Sequence, residues 1–186
     1  NVNLYQKNLS IVSDDDGFIT EGVNKDFELE YSHLYAPRKL REIIYSSDSV
    51  GNVLYGRKDL IKVGKNEVAS TDHSPIIGWA YDGNPIYGPY GNAKSIADSS
   101  GTGGLKRIVS GYTLDPINDN TLRPSYPDGY FIEDYNFNNS GDLDEYNGRF
   151  IVNSDFPNGS YAYFSTLDVT KNPAFPYITF KHHNAT

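Results

Sequence analysis

The amino-acid sequence predicts a mainly β fold: an irregular, Gly/Pro-rich sandwich or barrel-like domain with extra strands at its N terminus. Of the 186 residues, 17 are glycine and 10 are proline, and both residue types interrupt helices and favour turns. The 16 tyrosines and 9 phenylalanines are residues that strands favour, and tyrosine suits a half-exposed sheet face. Short apolar runs between turn signals complete the pattern of a β domain.

Residues 1–70 are predicted to form a small N-terminal β lobe or extra strands that pack on the rest of the chain. Residues 2–5 and 26–31 alternate apolar and polar side chains with the period of a half-buried strand. Residues 53–55 and 60–63 resemble the two strands of a hairpin. The best helix candidate spans residues 37–45, although its Ile-Ile-Tyr end fits a strand equally well.

Residues 71–186 are predicted to form the main β domain. The nearly continuous apolar run at residues 74–81 is typical of a buried strand, and it predicts that Trp79 lies in the core. A tight turn at residues 82–85 and a flexible surface loop at residues 92–104 follow. Later strand candidates are residues 107–109, 129–133, 149–152, 161–164 and 177–180.

Composition argues against several classes of partner. The formal net charge is −8 and no cluster of Lys and Arg is present, so we expect no nucleic-acid partner. No stretch approaches the roughly 20 apolar residues of a membrane-spanning helix. The absence of cysteine excludes disulfides and thiolate metal sites. Because the chain begins at Asn1 without methionine, we expect a mature, trimmed or excised segment.

The sequence lacks clear motifs for catalysis or metal binding, so we predict neither an enzyme nor a cofactor. Serine-nucleophile motifs, a phosphate-binding glycine loop and a dinucleotide fingerprint are all absent. Residues 142–148 resemble a calcium loop in composition but not in ligand spacing, so we favour a turn rich in Asp and Asn over irregular calcium binding. A transition-metal site needs three or four converging ligands, whereas the four histidines are scattered or terminal: His33, His73, His182 and His183.

Three sequence blocks carry a family resemblance. They are HSPIIGWAYDGNPIYG at residues 73–88, LDEYNG at residues 143–148 and GSYAYF at residues 159–164, followed by FPYI at residues 175–178. In this order the blocks resemble the YHYH domain family, and the third block aligns with the Tyr-His-Tyr-His signature itself. The Tyr-Ala-Tyr-Phe form is also similar to segments in large structural proteins of marine cyanobacterial phages.

The departures from the signature bear on function. Ala162 and Phe164 stand at the two histidine positions of the signature, and Tyr146 replaces the cysteine of the family's Leu-Asp-Glu-Cys-Asn-Gly block. If the histidine-bearing members hold a metal, only His73 of that set remains in this chain. The resemblance therefore implies that packing has replaced ligation on this strand, and we expect no bound metal.

Three functions stay open, and the first is favoured. It is a structural or adhesion module of a virion (tail, fibre or baseplate) or other extracellular assembly, acting as a homo-oligomer with neighbouring subunits or a surface glycan. The second is a carbohydrate-binding module, for which Trp79, Tyr81 and Tyr112 are possible stacking rings beside Tyr87 and Tyr90. The third is a metal-dependent enzyme with His73 and carboxylates in one cleft.

Turns around residues 83–85 and 88–89 are expected to hold Tyr87 and Tyr90 outward. The candidate ligand or interface residues are His73, Asp82, Asn84, Tyr87, Tyr90, Asp144, Asn147 and Arg149.

Overall fold

The structure is a computed structural model, and its described part is mainly β. It describes residues 2–3, 17–21, 29–33, 35, 37–42, 61–63, 66–68, 73–94, 104–115 and 125–179. Within these residues the strands form one four-stranded sheet and four two-stranded sheets, and none of them closes into a barrel. The mainly β prediction is confirmed, in the form of several small open sheets.

The N-terminal elements confirm that extra strands precede the main sheet. Strand β1 (Gly17–Glu21) pairs antiparallel with β2 (Leu29–His33), and a short helix, α1 (Arg38–Glu42), lies within the helix candidate. Strand β3 (Ile61–Val63) pairs with β4 (Asn66–Val68). The predicted partner at residues 53–55 lies outside the described residues. No helix among the described residues is long and apolar enough to span a membrane.

The four-stranded sheet organises the signature region. It contains β5 (Ile76–Trp79), β6 (Pro85–Tyr87) and two later strands, which are β11 (Gly148–Ile151) and β12 (Ser160–Phe164). The strand order is β11-β12-β6-β5, in which only the β12–β6 pair is parallel. Chain segments that lie far apart in sequence therefore meet on the central strands.

Two small sheets lie between β6 and β11 in the chain. Strand β7 (Tyr90–Asn92) pairs with β8 (Leu105–Arg107), and β9 (Tyr112–Leu114) pairs with β10 (Tyr135–Phe137). The middle of the predicted loop at residues 92–104 lies outside the described residues. A single 3₁₀ turn, Ile132–Asp134, precedes β10.

Three of the late strand predictions are wrong in position, and the one at residues 107–109 overlaps β8 only at Arg107. Residues 129–133 contain a turn and the start of the 3₁₀ helix, because the Asp134 carboxylate accepts a hydrogen bond from the Phe131 amide at 3.1 Å and closes a local turn. Residues 177–179 form no strand, because Tyr177 has a φ of 75°, which an extended strand does not accommodate. The predictions at residues 149–152 and 161–164 match β11 and β12.

Buried side chains form three clusters. The first lies on the four-stranded sheet and includes Tyr87, Ile108, Leu143 and Phe164. The second joins Tyr35, Tyr90 and Leu167, and the third is built on Phe175 and Tyr177. Two buried residues from the N-terminal part contact the later part of the chain. Tyr35 packs with Tyr90 and Leu167, and the Asn3 side chain donates to the Gly129 carbonyl at 3.0 Å. The domain division at residue 70 stays a prediction.

The structure reverses the predicted positions of three aromatic residues: Trp79, Tyr87 and Tyr90. Trp79 is 61% exposed and Tyr81 is 97% exposed, whereas Tyr87 and Tyr90 are buried. A β-bulge explains the exposure of Trp79. Ile77 is an extra residue in β5, between the residue that pairs with Tyr87 (Ile76) and the residue that pairs with Ile86 (Gly78). Ile76 then packs on the first cluster and Ile77 on the second, so the core is filled before the strand reaches Trp79. Tyr87 is buried because β6 lies between β5 and β12.

Candidate functional site

The signature strand β12 has two chemically different sides. Side chains alternate along a strand, so Tyr161 and Tyr163 lie on one side of the sheet and Ala162 and Phe164 on the other. We call the first the tyrosine side and the second the histidine-position side, because the signature has histidine at positions 162 and 164.

On the tyrosine side, each tyrosine donates a hydrogen bond to a carboxylate from another of the three sequence blocks. The Tyr161 hydroxyl donates to Asp144 Oδ2 at 2.7 Å, and the Tyr163 hydroxyl donates to Asp82 Oδ2 at 2.6 Å. The two rings meet edge to face, with 5.3 Å between their centroids. Gly148 leaves the space for this arrangement, since a Cβ there would lie 2.3 Å from the Tyr161 hydroxyl oxygen.

The same carboxylates also organise turns. Asp144 Oδ1 accepts from the amides of Tyr146 and Gly148 at 2.9 and 3.1 Å, and Asp82 Oδ1 accepts from the amide of Asn84 at 3.0 Å. Asn84 completes its turn when its carbonyl accepts from the Ala80 amide at 2.9 Å. Each carboxylate therefore fixes a tight turn and ties that turn to the signature strand.

The tyrosine side favours the neutral phenol of Tyr161. Burial raises the pKa of Tyr161 well above its ordinary value of 10.0, and the hydrogen bond to Asp144 and the negative charge of that carboxylate raise the pKa further. A phenol that keeps its proton is a hydrogen-bond donor to the carboxylate over the whole neutral range. The arrangement is thus suited to holding structure together, and it offers no base–nucleophile pair.

On the histidine-position side, Phe164 and His73 pack on Tyr87. The Phe164 ring stacks on Tyr87 with centroids 5.6 Å apart, and the His73 imidazole meets Tyr87 edge-on at 4.9 Å. The Tyr87 hydroxyl donates to Asp155 Oδ2 at 2.8 Å and accepts from the Asn153 side chain at 3.0 Å. His73 Nδ1 lies 2.8 Å from the carbonyl oxygen of Ser74. Aromatic packing therefore occupies the place where the signature has a histidine.

Arg149 is a buried cation on the same side, opposite Ala162 in the β11–β12 pair. Its Nη2 donates to the Asn92 carbonyl at 2.6 Å, and its guanidinium carbon lies 5.2 Å from the Phe164 ring centroid. Its Nε has no hydrogen-bond partner in the described part of the chain. Burial lowers the pKa of Arg149, and the charge of Asp142 opposes this effect. The Phe164 ring supplies a cation–π contact to this cation.

Asn147 links the signature strand to the C-terminal segment. Its backbone has a φ of 66°, in the left-handed region that Asn tolerates. Its side-chain amide donates to the carbonyls of Phe164 and Ile178 at 2.7 and 2.8 Å. Asn147 is therefore a buried structural clamp.

The structure brings together most of the candidate residues, but on opposite sides of the sheet. His73, Tyr87 and Arg149 lie on the histidine-position side, and Asp82 and Asp144 on the tyrosine side. Tyr90 is apart from both, in the cluster with Tyr35 and Leu167. Among the described residues no three His, Asp or Glu side chains converge as metal ligands. The absence of a metal and of a cofactor stays a prediction.

Sequence reasoning missed a cleft of about 480 Å³ next to this sheet. Its walls are the β9–β10 pair and the segment at residues 167–177 that follows β12. Tyr112 and Tyr135 line it with part of each ring exposed, and burial raises the pKa of both. Only Tyr112 was among the candidate stacking rings. The sequence holds no local signal for the cleft, because β9, β10 and residues 167–177 are distant from one another in the chain.

Comparisons with known proteins identify the family. A family model described as YHYH protein matches residues 29–176, which is most of the chain. Neither a curated protein nor a solved structure matches this chain. The family match covers all three sequence blocks and the whole four-stranded sheet. The chain therefore belongs to the YHYH protein family.

Proposed function

We propose that the chain is a non-catalytic structural or adhesion module of a larger extracellular assembly, and that it acts by contact with neighbouring subunits. The observation that carries the proposal is the exposed aromatic pair Trp79 and Tyr81, which are 61% and 97% exposed. Trp79 is the last residue of β5, which is the terminal strand of the four-stranded sheet among the described strands, and Tyr81 lies in the turn that follows. We call them the edge aromatics.

Physical arguments support a contact role for the edge aromatics. Single exposed apolar residues are common, but Trp and Tyr are enriched where proteins meet. The turn that follows β5 is fixed by hydrogen bonds from the Ala80 and Gly83 amides to the Asn84 and Ala80 carbonyls, each at 2.9 Å. Tyr81 therefore projects from a rigid turn, so little backbone entropy is lost when a partner covers it.

The state of the signature region supports contact over turnover. The Asp144 carboxylate accepts from two backbone amides and a tyrosine hydroxyl, and the Asp82 carboxylate accepts from one backbone amide and a tyrosine hydroxyl. His73 is packed against Tyr87, and Phe164 fills a position where the signature has histidine. The similarity of the Tyr-Ala-Tyr-Phe segment to segments of phage structural proteins favours a virion as the assembly.

The single tryptophan makes the proposal directly measurable. Because Trp79 is the only Trp in the chain, its fluorescence reports on the proposed contact alone. We expect the protein to self-associate in analytical ultracentrifugation, and acrylamide quenching of Trp79 to fall as the oligomer forms. Tyr81→Ala should weaken association at least about 10-fold, a loss of about 1.4 kcal/mol.

The matched control is Tyr126→Ala, which removes another exposed tyrosine that is 44% accessible. This variant should associate like the wild type. A protein that stays monomeric with Trp79 fully quenchable would contradict self-association at the edge aromatics. Hydrolysis of a glycan substrate that His73→Ala abolishes would replace the proposal with the enzyme hypothesis.

A further inference from the structure

The cleft between the β9–β10 pair and residues 167–177 combines aromatic rings with charged side chains. Ligand sites in proteins are concave, with volumes of roughly 300–1,000 Å³, and combine apolar rings with a few polar groups. At about 480 Å³ this cleft falls within that range. Its first wall is one face of the β9–β10 pair, where Tyr112 and Leu114 on β9 lie on the same side as Tyr135 on β10.

The rings of this wall are held in place by aromatic residues of the segment at residues 167–177, which also line the cleft. Phe175 is buried and stacks on Tyr135 with centroids 4.1 Å apart and planes within 9°. Tyr112 meets Phe175 edge-on at 5.3 Å, and its hydroxyl donates to the Glu145 carbonyl at 2.8 Å. The Tyr177 hydroxyl accepts from the Asn3 side chain at 2.8 Å. The exposed parts of Tyr112 and Tyr135 are therefore preorganised, which reduces the entropy lost on binding.

One cationic and one anionic side chain also line the cleft. They are Arg107 at the end of β8 and Asp168 in the segment after β12. Arg107 uses one Nη1 donor on the Leu167 carbonyl, and its other N–H groups have no partner among the described residues. Asp168 Oδ1 accepts from the Thr170 amide and hydroxyl and from the Asn172 amide, at 2.7–2.9 Å. Asp168 Oδ2 accepts no hydrogen bond in the described part of the chain. The cleft thus pairs a cationic donor with an anionic acceptor, and this pair carries no net charge.

We infer that this cleft binds a neutral hexopyranose unit of a glycan, with the apolar C–H face of the sugar on Tyr112 and Tyr135 and its hydroxyls on Arg107 and Asp168. A sugar hydroxyl donates and accepts at once, so a neighbouring donor and acceptor suit it. A polyanionic glycan is disfavoured by the formal net charge of −8. This inference goes beyond contact at the edge aromatics, because either site can function without the other.

The test uses two leucines of similar exposure. Leu114 lines the cleft and is 43% exposed, whereas Leu105 is 37% exposed on β8 and does not line it. The probes are neutral oligosaccharides on a glycan array, followed by NMR titration of the full chain with each hit. We expect ring-proton shifts at Tyr112 and Tyr135, and no shift of the Trp79 indole. Leu114→Glu should weaken binding at least about 10-fold, and Leu105→Glu less than about 2-fold.

A second variant guards against a folding defect. Arg107→Gln keeps an amide donor but removes the charge, and we expect it to weaken sugar binding while the amide spectrum stays dispersed. No neutral oligosaccharide binding, or equal losses for Leu114→Glu and Leu105→Glu, would overturn the inference. Binding that moves the Trp79 signal and is lost in Tyr81→Ala would overturn it too, since the sugar would then occupy the edge aromatics. Preferential binding of proline-rich peptides at the cleft would also overturn it.

Discussion

The two sides of the signature strand keep their residues in place by different forces. On the tyrosine side, Tyr161 and Tyr163 are retained from the signature and donate to the carboxylates of Asp144 and Asp82. On the histidine-position side, the signature residues are replaced, and Phe164 is held by packing on Tyr87. The residues that differ from the signature pack among apolar and aromatic side chains. The two tyrosines that match the signature each anchor a turn.

This difference explains how the fold tolerates the altered signature. Ala162 and Phe164 are fully buried and belong to the main core cluster, so their contribution is the hydrophobic burial of side chains. The tyrosine side contributes through hydrogen bonds between segments that are 17 and 81 residues apart. Each side can therefore be weakened separately, and the size of the effect should follow the force involved.

The largest loss is expected for Phe164→Ala. The ring is fully buried, stacks on Tyr87 and lies under the Arg149 guanidinium, so its removal leaves a cavity and a buried cation without its aromatic contact. We expect the free energy of unfolding to fall by about 3–5 kcal/mol in urea denaturation. Phe150→Ala on β11, where the ring is 39% exposed, is the matched control and should cost clearly less. Equal losses would mean that this side of the strand is not core.

A smaller loss is expected for Tyr163→Phe. The substitution keeps the ring and removes the hydroxyl that donates to Asp82 at 2.6 Å, so the carboxylate loses one donor in a partly buried setting. We expect a fall of about 1–3 kcal/mol in the free energy of unfolding. The matched control is Tyr126→Phe, on a tyrosine that is 44% exposed, and it should leave the value unchanged. If both variants unfold alike, the Tyr163–Asp82 bond does not stabilise the fold.

Alkaline pH should weaken the tyrosine side selectively. The folded-state pKa of Tyr161 is raised above its ordinary value of 10.0, so the folded protein binds this proton more tightly than the unfolded chain does. The corresponding stability is fully present below about pH 10 and is lost as the pH rises above that value. Urea denaturation at several alkaline pH values should show a shallower decline for Tyr161→Phe than for the wild type. An identical decline would mean that another group causes it.

The sequence contained enough local information for the fold class and for several elements. Helix α1 and strands β11 and β12 lie where composition and period placed them. The turn after β5 was also predictable, because its Asp-Gly-Asn-Pro sequence is a turn signal in itself. These features depend on neighbours in sequence, which is the information that a pattern contains.

The features that were missed depend on contacts between distant segments. The pairing of Tyr163 with Asp82 and the burial of Tyr87 both follow from the parallel contact of β12 with β6. No periodicity within either segment reveals that contact. The cleft was missed for the same reason, since Tyr112, Tyr135 and Phe175 meet only in the folded chain. The exposure of Trp79 depends on one bulge residue, which an apolar run conceals.

The smallest effect on stability is expected for Trp79→Ala, although the apolar run around it predicts a core residue. The indole is 61% exposed, Trp79 pairs with Pro85 at the end of β5, and the core beside it is already filled by Ile76 and Ile77. We expect the free energy of unfolding to change by no more than about 0.5 kcal/mol, as for an ordinary surface substitution. Because the variant has no tryptophan fluorescence, unfolding must be followed by far-ultraviolet circular dichroism. A loss of several kcal/mol would mean that Trp79 belongs to the core. The edge aromatics would then not form an exposed surface, and the contact proposed for this strand would be contradicted.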